Sequence, residues 1–228
     1  MEIPSYLSPR PAYELTSSMR QAFDELFSAT PPGSFIDYQL PYPRWQFLSY
    51  LCDSKDLILH GSRNHEILEV KPQQAHDVRD FSAQQAIYAT TDGIWSIFFA
   101  IIDRSIQPMS LFNSCLQARI SPGMLSDPLY FFSIPGVTLA KKPFIEGMIY
   151  LLPRQSFIQE ESSLYQGVEI VFPHWISSQA VFPIAKLKVS PQDFPFLQQI
   201  RGHDLEKLNQ LITQYPDDFS MWMAALEG

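Results

Sequence analysis

The sequence predicts one β-rich α+β domain, and three observations carry that prediction. A chain of 228 residues with 46% hydrophobic and 14% aromatic residues can bury a core without disulfides or metals. Nineteen prolines against nine glycines favour short elements joined by stiff loops, because proline is excluded from helix interiors and central strands. From residue 57 onward, apolar runs of strand length alternate with turn pairs such as Pro122-Gly123, Pro135-Gly136 and Lys142-Pro143, the rhythm of a mainly antiparallel sheet. With no repeat and no dividing linker, residues 1–56 read as a helical N-terminal part, 57–189 as the core and 190–228 as a C-terminal helical tail.

Taken in order, residues 15–29 place Met19, Ala22, Phe23, Leu26 and Phe27 at helical spacing, and Thr30-Pro31-Pro32-Gly33 stops the pattern. Residues 44–52 repeat it with Trp45, Phe47, Leu48 and Leu51. Strands are expected at 57–60, 86–89, 129–134, 144–152, 168–172 and 180–189. Between the second and third of these, residues 92–102 read as a short buried helix that Asp92 can cap. In the tail, residues 203–215 align Leu205, Leu208, Leu211 and Ile212 on one face, with Asp204 early and Pro216 ending the helix.

The formal net charge of -8 and a pI near 5.0 argue against broad electrostatic attachment to nucleic-acid phosphate or anionic lipid. Cys52 and Cys115 are far apart, with no second Cys or His at ligand spacing beside either, so neither a disulfide framework nor a metal site is expected. The start, Met-Glu-Ile-Pro-Ser-Tyr, lacks the basic and apolar regions of a signal peptide, and the richest apolar stretch is too short to span a bilayer. A cytoplasmic location and no membrane partner are the expectations.

Three segments could carry chemistry. In Leu57-Ile58-Leu59-His60-Gly61-Ser62-Arg63, an apolar strand ends in a histidine beside bare backbone, where a ligand can approach closely; a simple turn with a hydrogen-bonded histidine is the plainer reading. In Ile87-Tyr88-Ala89, followed by Ser96 and Phe99, the helix sets Ser96 and Phe99 on one face, so Tyr88 and Phe99 could wall one slot with a hydroxyl at its edge. The plainer reading there is a core aromatic cluster. In Gly167-Val168-Glu169-Ile170-Val171-Phe172, a single carboxylate interrupts a strand; it is either solvated on an edge or enclosed in an apolar cleft, the second setting favouring function.

Together, His60-Gly61-Ser62-Arg63, then Ile87-Tyr88-Ala89 28 residues after the histidine, then Glu169 resemble the His–Tyr–Glu signature of ADP-ribosyltransferases of the diphtheria-toxin and poly(ADP-ribose) polymerase type. Ser96 and Phe99 match the serine and aromatic on the helix after the family's Tyr strand, and Ile184-Ala185-Lys186-Leu187-Lys188-Val189 resembles its later Lys-rich strand. The chain departs from the pattern at Gln85-Ala86, where the family has a glycine, and residues 77–81 match no adenosine-binding loop.

The resemblance implies a split antiparallel β-sheet core with short helices, and an enzyme that transfers ADP-ribose from NAD to an acceptor with release of nicotinamide. It assigns His60 to the adenosine ribose, the Gly61 backbone and Ser96 to the carboxamide, Tyr88 and Phe99 to the nicotinamide ring, and Glu169 to the nicotinamide-ribose hydroxyl beside the developing cation. Ser62 and Arg63 complete the cofactor-binding turn, Arg63 within reach of a diphosphate oxygen. The acceptor stays open among protein, nucleic acid and small molecule. Three other readings stand beside this one: a module that binds NAD, ADP-ribose or a protein without reaction; an RNA 2′-phosphotransferase-like enzyme, which needs clustered arginines drawn from Arg63, Arg79, Arg104 and Arg119; and a purely structural role for the aromatic residues.

Overall fold

The computed structural model describes residues 4–74, 81, 84–216 and 218–226. Strand β1 (Ser8–Pro9) leads into helices α1 (Ser17–Ala29) and α2 (Arg44–Ser54). Strands β2 (Leu57–Ser62), β3 (Gln73–Gln74) and β4 (Gln85–Thr90) precede α3 (Gly93–Ile101). Next come β5 (Phe112–Ser121), β6 (Met124–Leu125), β7 (Leu129–Pro135), α4 (Gly136–Leu139) and β8 (Gly147–Pro153). Short strands β9 (Ile158–Gln159), β10 (Ser163–Tyr165), β11 (Val168–Val171) and β12 (His174–Ser177) follow. The chain ends with β13 (Ala185–Val189), β14 (Arg201–His203), α5 (Leu205–Gln214) and α6 (Phe219–Trp222).

The expected α+β class is observed, organised as two sheets. One runs β1-β7-β5-β11-β10, with β6 and β14 attached; the other runs β13-β8-β2-β4-β12-β9, with β3 attached. Among the described strands the pairings are antiparallel except β14, which lies parallel to β7.

The expected helices form for the reasons legible in the sequence. Thr16 caps α1 by accepting the Met19 N–H, and Met19 and Phe23 are its buried residues. Asp92 caps α3 by accepting the Trp95 N–H at 2.7 Å and also accepts the Tyr130 hydroxyl at 2.6 Å, which ties α3 to the other sheet. Asp204 caps α5 in the same way, and Leu208 of that helix packs with Phe112, Phe131 and Trp222 in a satellite core. Helix α2 is buried from Trp45 through Cys52, so it lies inside the core rather than on it.

The main core is the layer between the β13-β8-β2-β4 sheet and helices α1 to α3, where Leu57, Leu59, Ile149, Leu151 and Leu187 meet Phe47, Leu51, Ile94 and Phe98. The opposite face of that sheet carries Ile58, Ile87, Ala89, Met148 and Tyr150 in a second cluster. Two glycines allow α3 to sit so close: a Cβ at Gly61 would lie 2.2 Å from the Ser96 carbonyl oxygen, and one at Gly147 would lie 2.1 Å from that of Ala100. Cys52 and Cys115 are buried free thiols.

Several strand expectations differ from the structure: the strand expected at 57–60 runs on through Gly61 and Ser62, and the one expected at 144–152 begins only at Gly147. The strand expected at 180–189 begins only at Ala185. The sequence reading passes over β5, whose ten residues dilute their apolar positions with Asn113, Ser114, Gln117 and Arg119. It also ends its strand at Phe172, whereas the chain passes Pro173 and changes sheet: β11 pairs with β5 through Ile170↔Ala118, and β12 pairs with β4 through His174↔Thr90 and Ile176↔Tyr88. Proline lacks the N–H that a continuous ladder needs, and the Pro173 carbonyl accepts the Thr91 N–H at 3.2 Å, beside the start of the new pairing. No helix among the described residues is long and apolar enough to cross a membrane.

Candidate functional site

Strand alternation decides which side chains share a face. On β2, Leu57 and Leu59 belong to the helix-side core and Ile58 to the opposite cluster, so Gly61 faces α3 and His60 the other way. On β4, Ile87 and Ala89 lie in the opposite cluster, which turns Tyr88 and Thr90 toward α3. Gly61, Tyr88, Ser96 and Phe99 are therefore brought to the helix side, while the His60 ring lies on the far face, 6.4 Å from the Tyr150 ring.

His60 nonetheless remains joined to the Tyr88 strand. Its Nδ1 lies 2.7 Å from the Tyr88 carbonyl, and because a carbonyl only accepts, Nδ1 must carry the hydrogen. Burial lowers the His60 pKa, nearby Arg104 acts in the same direction, and the bond to Tyr88 opposes them. A neutral imidazole with Nδ1–H presents Nε2 as an acceptor. Around this half-buried ring stand Arg104, whose guanidinium lies 5.8 Å over the Phe99 ring, and Arg63, paired with Asp103 at 3.5 Å. Ser62 is spent locally, its hydroxyl accepting the Asn64 N–H at 3.1 Å.

On the helix side, the space expected between Tyr88 and Phe99 is spanned by two other rings. Tyr88 stacks on His174 with centroids 5.7 Å apart, His174 meets Trp95 edge-on at 5.6 Å, and Trp95 meets Phe99 at 5.8 Å. All three spacings fall within the range of favourable ring contacts. Phe81 closes on His174 from another side at 5.3 Å. The row is anchored at its polar ends: Tyr88 donates to the Gln84 carbonyl at 2.6 Å, Trp95 Nε1 donates to Asn113 at 2.7 Å, and His174 Nδ1 lies 2.8 Å from Glu160 Oε2.

Ser96 and Gly61 are engaged within the fold. The Ser96 hydroxyl donates to the Gly93 carbonyl at 2.9 Å and the residue is 1% exposed, while the bare backbone of Gly61 is met by α3 itself. Glu169 is not brought to the sheet of His60 and Tyr88. It stands on β11, where Arg119 of β5 donates to it at 2.7 Å; that bond, together with one from Ser162, holds its carboxyl below the usual range. Glu160 is the carboxylate bonded to a ring of this row, through His174 Nδ1.

Sequence reasoning missed His174, Glu160 and Trp95 as members of the constellation. For His174 a signal existed: a proline followed by His-Trp-Ile is compatible with the first residue of a new strand, with His174 and Ile176 sharing a face. Of the four arginines weighed for a phosphate site, Arg63 and Arg104 lie near His60, Arg119 is bound to Glu169, and Arg79 lies outside the described residues. The mismatch noted at residues 77–81 lies outside them too, apart from Phe81.

No protein-family model, curated protein or solved structure matches the chain significantly.

Proposed function

We propose that this chain is an ADP-ribosyltransferase-like domain that binds ADP-ribose, and NAD through its ADP-ribose part, without carrying out transfer. The observation that carries this reading is the ring row Tyr88–His174–Trp95–Phe99, which spans the space between Tyr88 and Phe99 that the resemblance assigns to a nicotinamide ring. For the ribose and diphosphate, His60 Nε2 accepts from a ribose hydroxyl, and Arg63 and Arg104 offer donors to phosphate oxygens. His174 takes the place beside Tyr88 where transfer calls for an unencumbered carboxylate, and Glu169 is held by Arg119.

Isothermal titration of the full chain with ADP-ribose and NAD, together with chromatography for nicotinamide, tests the reading. ADP-ribose binding at least as tightly as NAD, with no nicotinamide released, is the expected result. Absence of ADP-ribose binding, or steady nicotinamide release, overturns it.

A second reading, favoured by Glu160 beside His174, keeps the NAD-dependent transferase. With the His174 ring turned aside, Glu160, across β12 from the Tyr88 strand, would be the carboxylate to face the positive charge that develops at ribose C1′. The C1′–N bond breaks with its electron pair leaving on nicotinamide; the acceptor's lone pair forms the new bond to C1′ and the acceptor loses a proton. Nicotinamide release that disappears in Glu160→Gln and survives in Glu169→Gln selects this reading.

A further inference from the structure

Lys186, on β13, is only 7% exposed. Its ammonium rests between two rings, 5.4 Å from the centroid of Phe35 and 5.9 Å from that of Tyr150. Two residues along the same strand, Lys188 reaches Glu146 at 2.7 Å; among the described residues, Lys186 has no carboxylate partner. A largely enclosed lysine whose ammonium faces two rings and no carboxylate is conspicuous in a chain of net charge -8.

Three chain segments converge over this lysine. Phe35 bridges Lys186, and the Gly33 N–H donates to the Ile184 carbonyl at 2.6 Å, bringing in the 33–36 loop. Val70 bridges Val181, which sets Leu68 near Phe182 and Pro183. Each segment leaves one large apolar side chain in water: Phe35 is 59% exposed, Leu68 77% and Phe182 68%. The floor is fixed, since the Tyr150 hydroxyl donates to the Asn64 carbonyl at 2.6 Å and accepts the Ile67 N–H at 3.0 Å. Three exposed apolar groups around one recessed, unpaired cation form a surface with a defined complement.

We propose that this patch docks an extended peptide segment carrying an aspartate or glutamate between apolar residues. The acidic side chain reaches Lys186, and its apolar neighbours cover Phe35, Leu68 and Phe182. A peptide fits better than a small acid because the three apolar side chains come from three separate segments, more surface than one carboxylate covers.

The test pans a phage-displayed random dodecapeptide library on the full chain and measures the enriched peptides by fluorescence polarisation. Enrichment of an Asp or Glu flanked by apolar residues is expected, with affinity falling about tenfold or more in Lys186→Met. The melting temperature of the variant, measured alongside, separates loss of binding from loss of folding. Should Lys186→Met not fold, the exposed double variant Phe35→Ser/Phe182→Ser carries the test, with the same loss expected. Enriched peptides without an acidic residue, or peptides bound equally by parent and variants, overturn the proposal. Displacement of the peptides by octanoate with equal affinity also overturns it, because the site would then belong to a small amphiphilic acid.

Discussion

The rings of Tyr88 and His174 lie stacked, centroids 5.7 Å apart and planes 27° from parallel, on neighbouring strands. Glu160 fixes the histidine in that position by its contact with Nδ1 at 2.8 Å. The aromatic wall expected to receive a ligand ring is thus already occupied from within the chain.

Removing His174 should reopen the space. His174→Ala is expected to raise NAD affinity relative to ADP-ribose, because only NAD brings a nicotinamide ring to fill the gap beside Tyr88. Titration calorimetry on parent and variant reads the ratio, and an unchanged ratio would remove His174 as the occluding group.

His60→Ala should weaken ADP-ribose binding by on the order of tenfold, the value of one well-made hydrogen bond to a ligand. The neutral Nδ1–H tautomer set by the Tyr88 carbonyl makes Nε2 the acceptor, so His60→Lys, which only donates, should fail to rescue. Full affinity in His60→Ala would place the ligand elsewhere.

Glu169→Gln is expected to change neither nucleotide affinity nor nicotinamide release, because Glu169 and Arg119 form a half-exposed pair on the other sheet. Such pairs contribute little to stability, so the melting temperature should also stay put. Any strong effect on ligand handling would return Glu169 to the site.

Gly61→Ala tests a packing constraint rather than a binding one. With the Ser96 carbonyl 2.2 Å from the new Cβ and the Ala100 nitrogen at 3.2 Å, helix α3 must shift, at a cost of about 1–3 kcal/mol or more. Urea unfolding measures it, and a variant as stable as the parent would show that α3 yields freely.

His203 predicts an acid-sensitive tail. The residue is 1% exposed, its Nδ1 lies 2.8 Å from the Ser133 hydroxyl, and its Nε2 is buried with no hydrogen-bond partner among the described residues. Burial lowers its pKa from 6.5 to about 4, with Asp204 opposing. Between those values the unfolded chain binds the proton and the folded chain does not, so stability falls as pH drops from 6.5 toward 4. Denaturation across that window should show the slope, and His203→Leu should flatten it; an unchanged slope would assign the pH dependence to the carboxylates.

Periodicity and capping were enough for much of the fold. Met19 and Phe23, Asp92 before an apolar run, and Leu208 after Asp204 each mark an element from within a few residues, because helix spacing and caps are local properties. Strand β5 escaped because its pattern is half polar, and its strand character depends on β7 and β11 beside it.

The site divides in the same way. The sequence by itself determined that His60 ends one strand and Tyr88 lies on another, that Ser96 and Phe99 follow on a helix, and that Glu169 interrupts a further strand. Only the tertiary structure decided which of them meet. Register turned His60 and Tyr88 to opposite faces, and the change of sheet at Pro173 left Glu169 with Arg119 while carrying His174 to Tyr88. Pairing across strands distant in sequence depends on partners that no local pattern names.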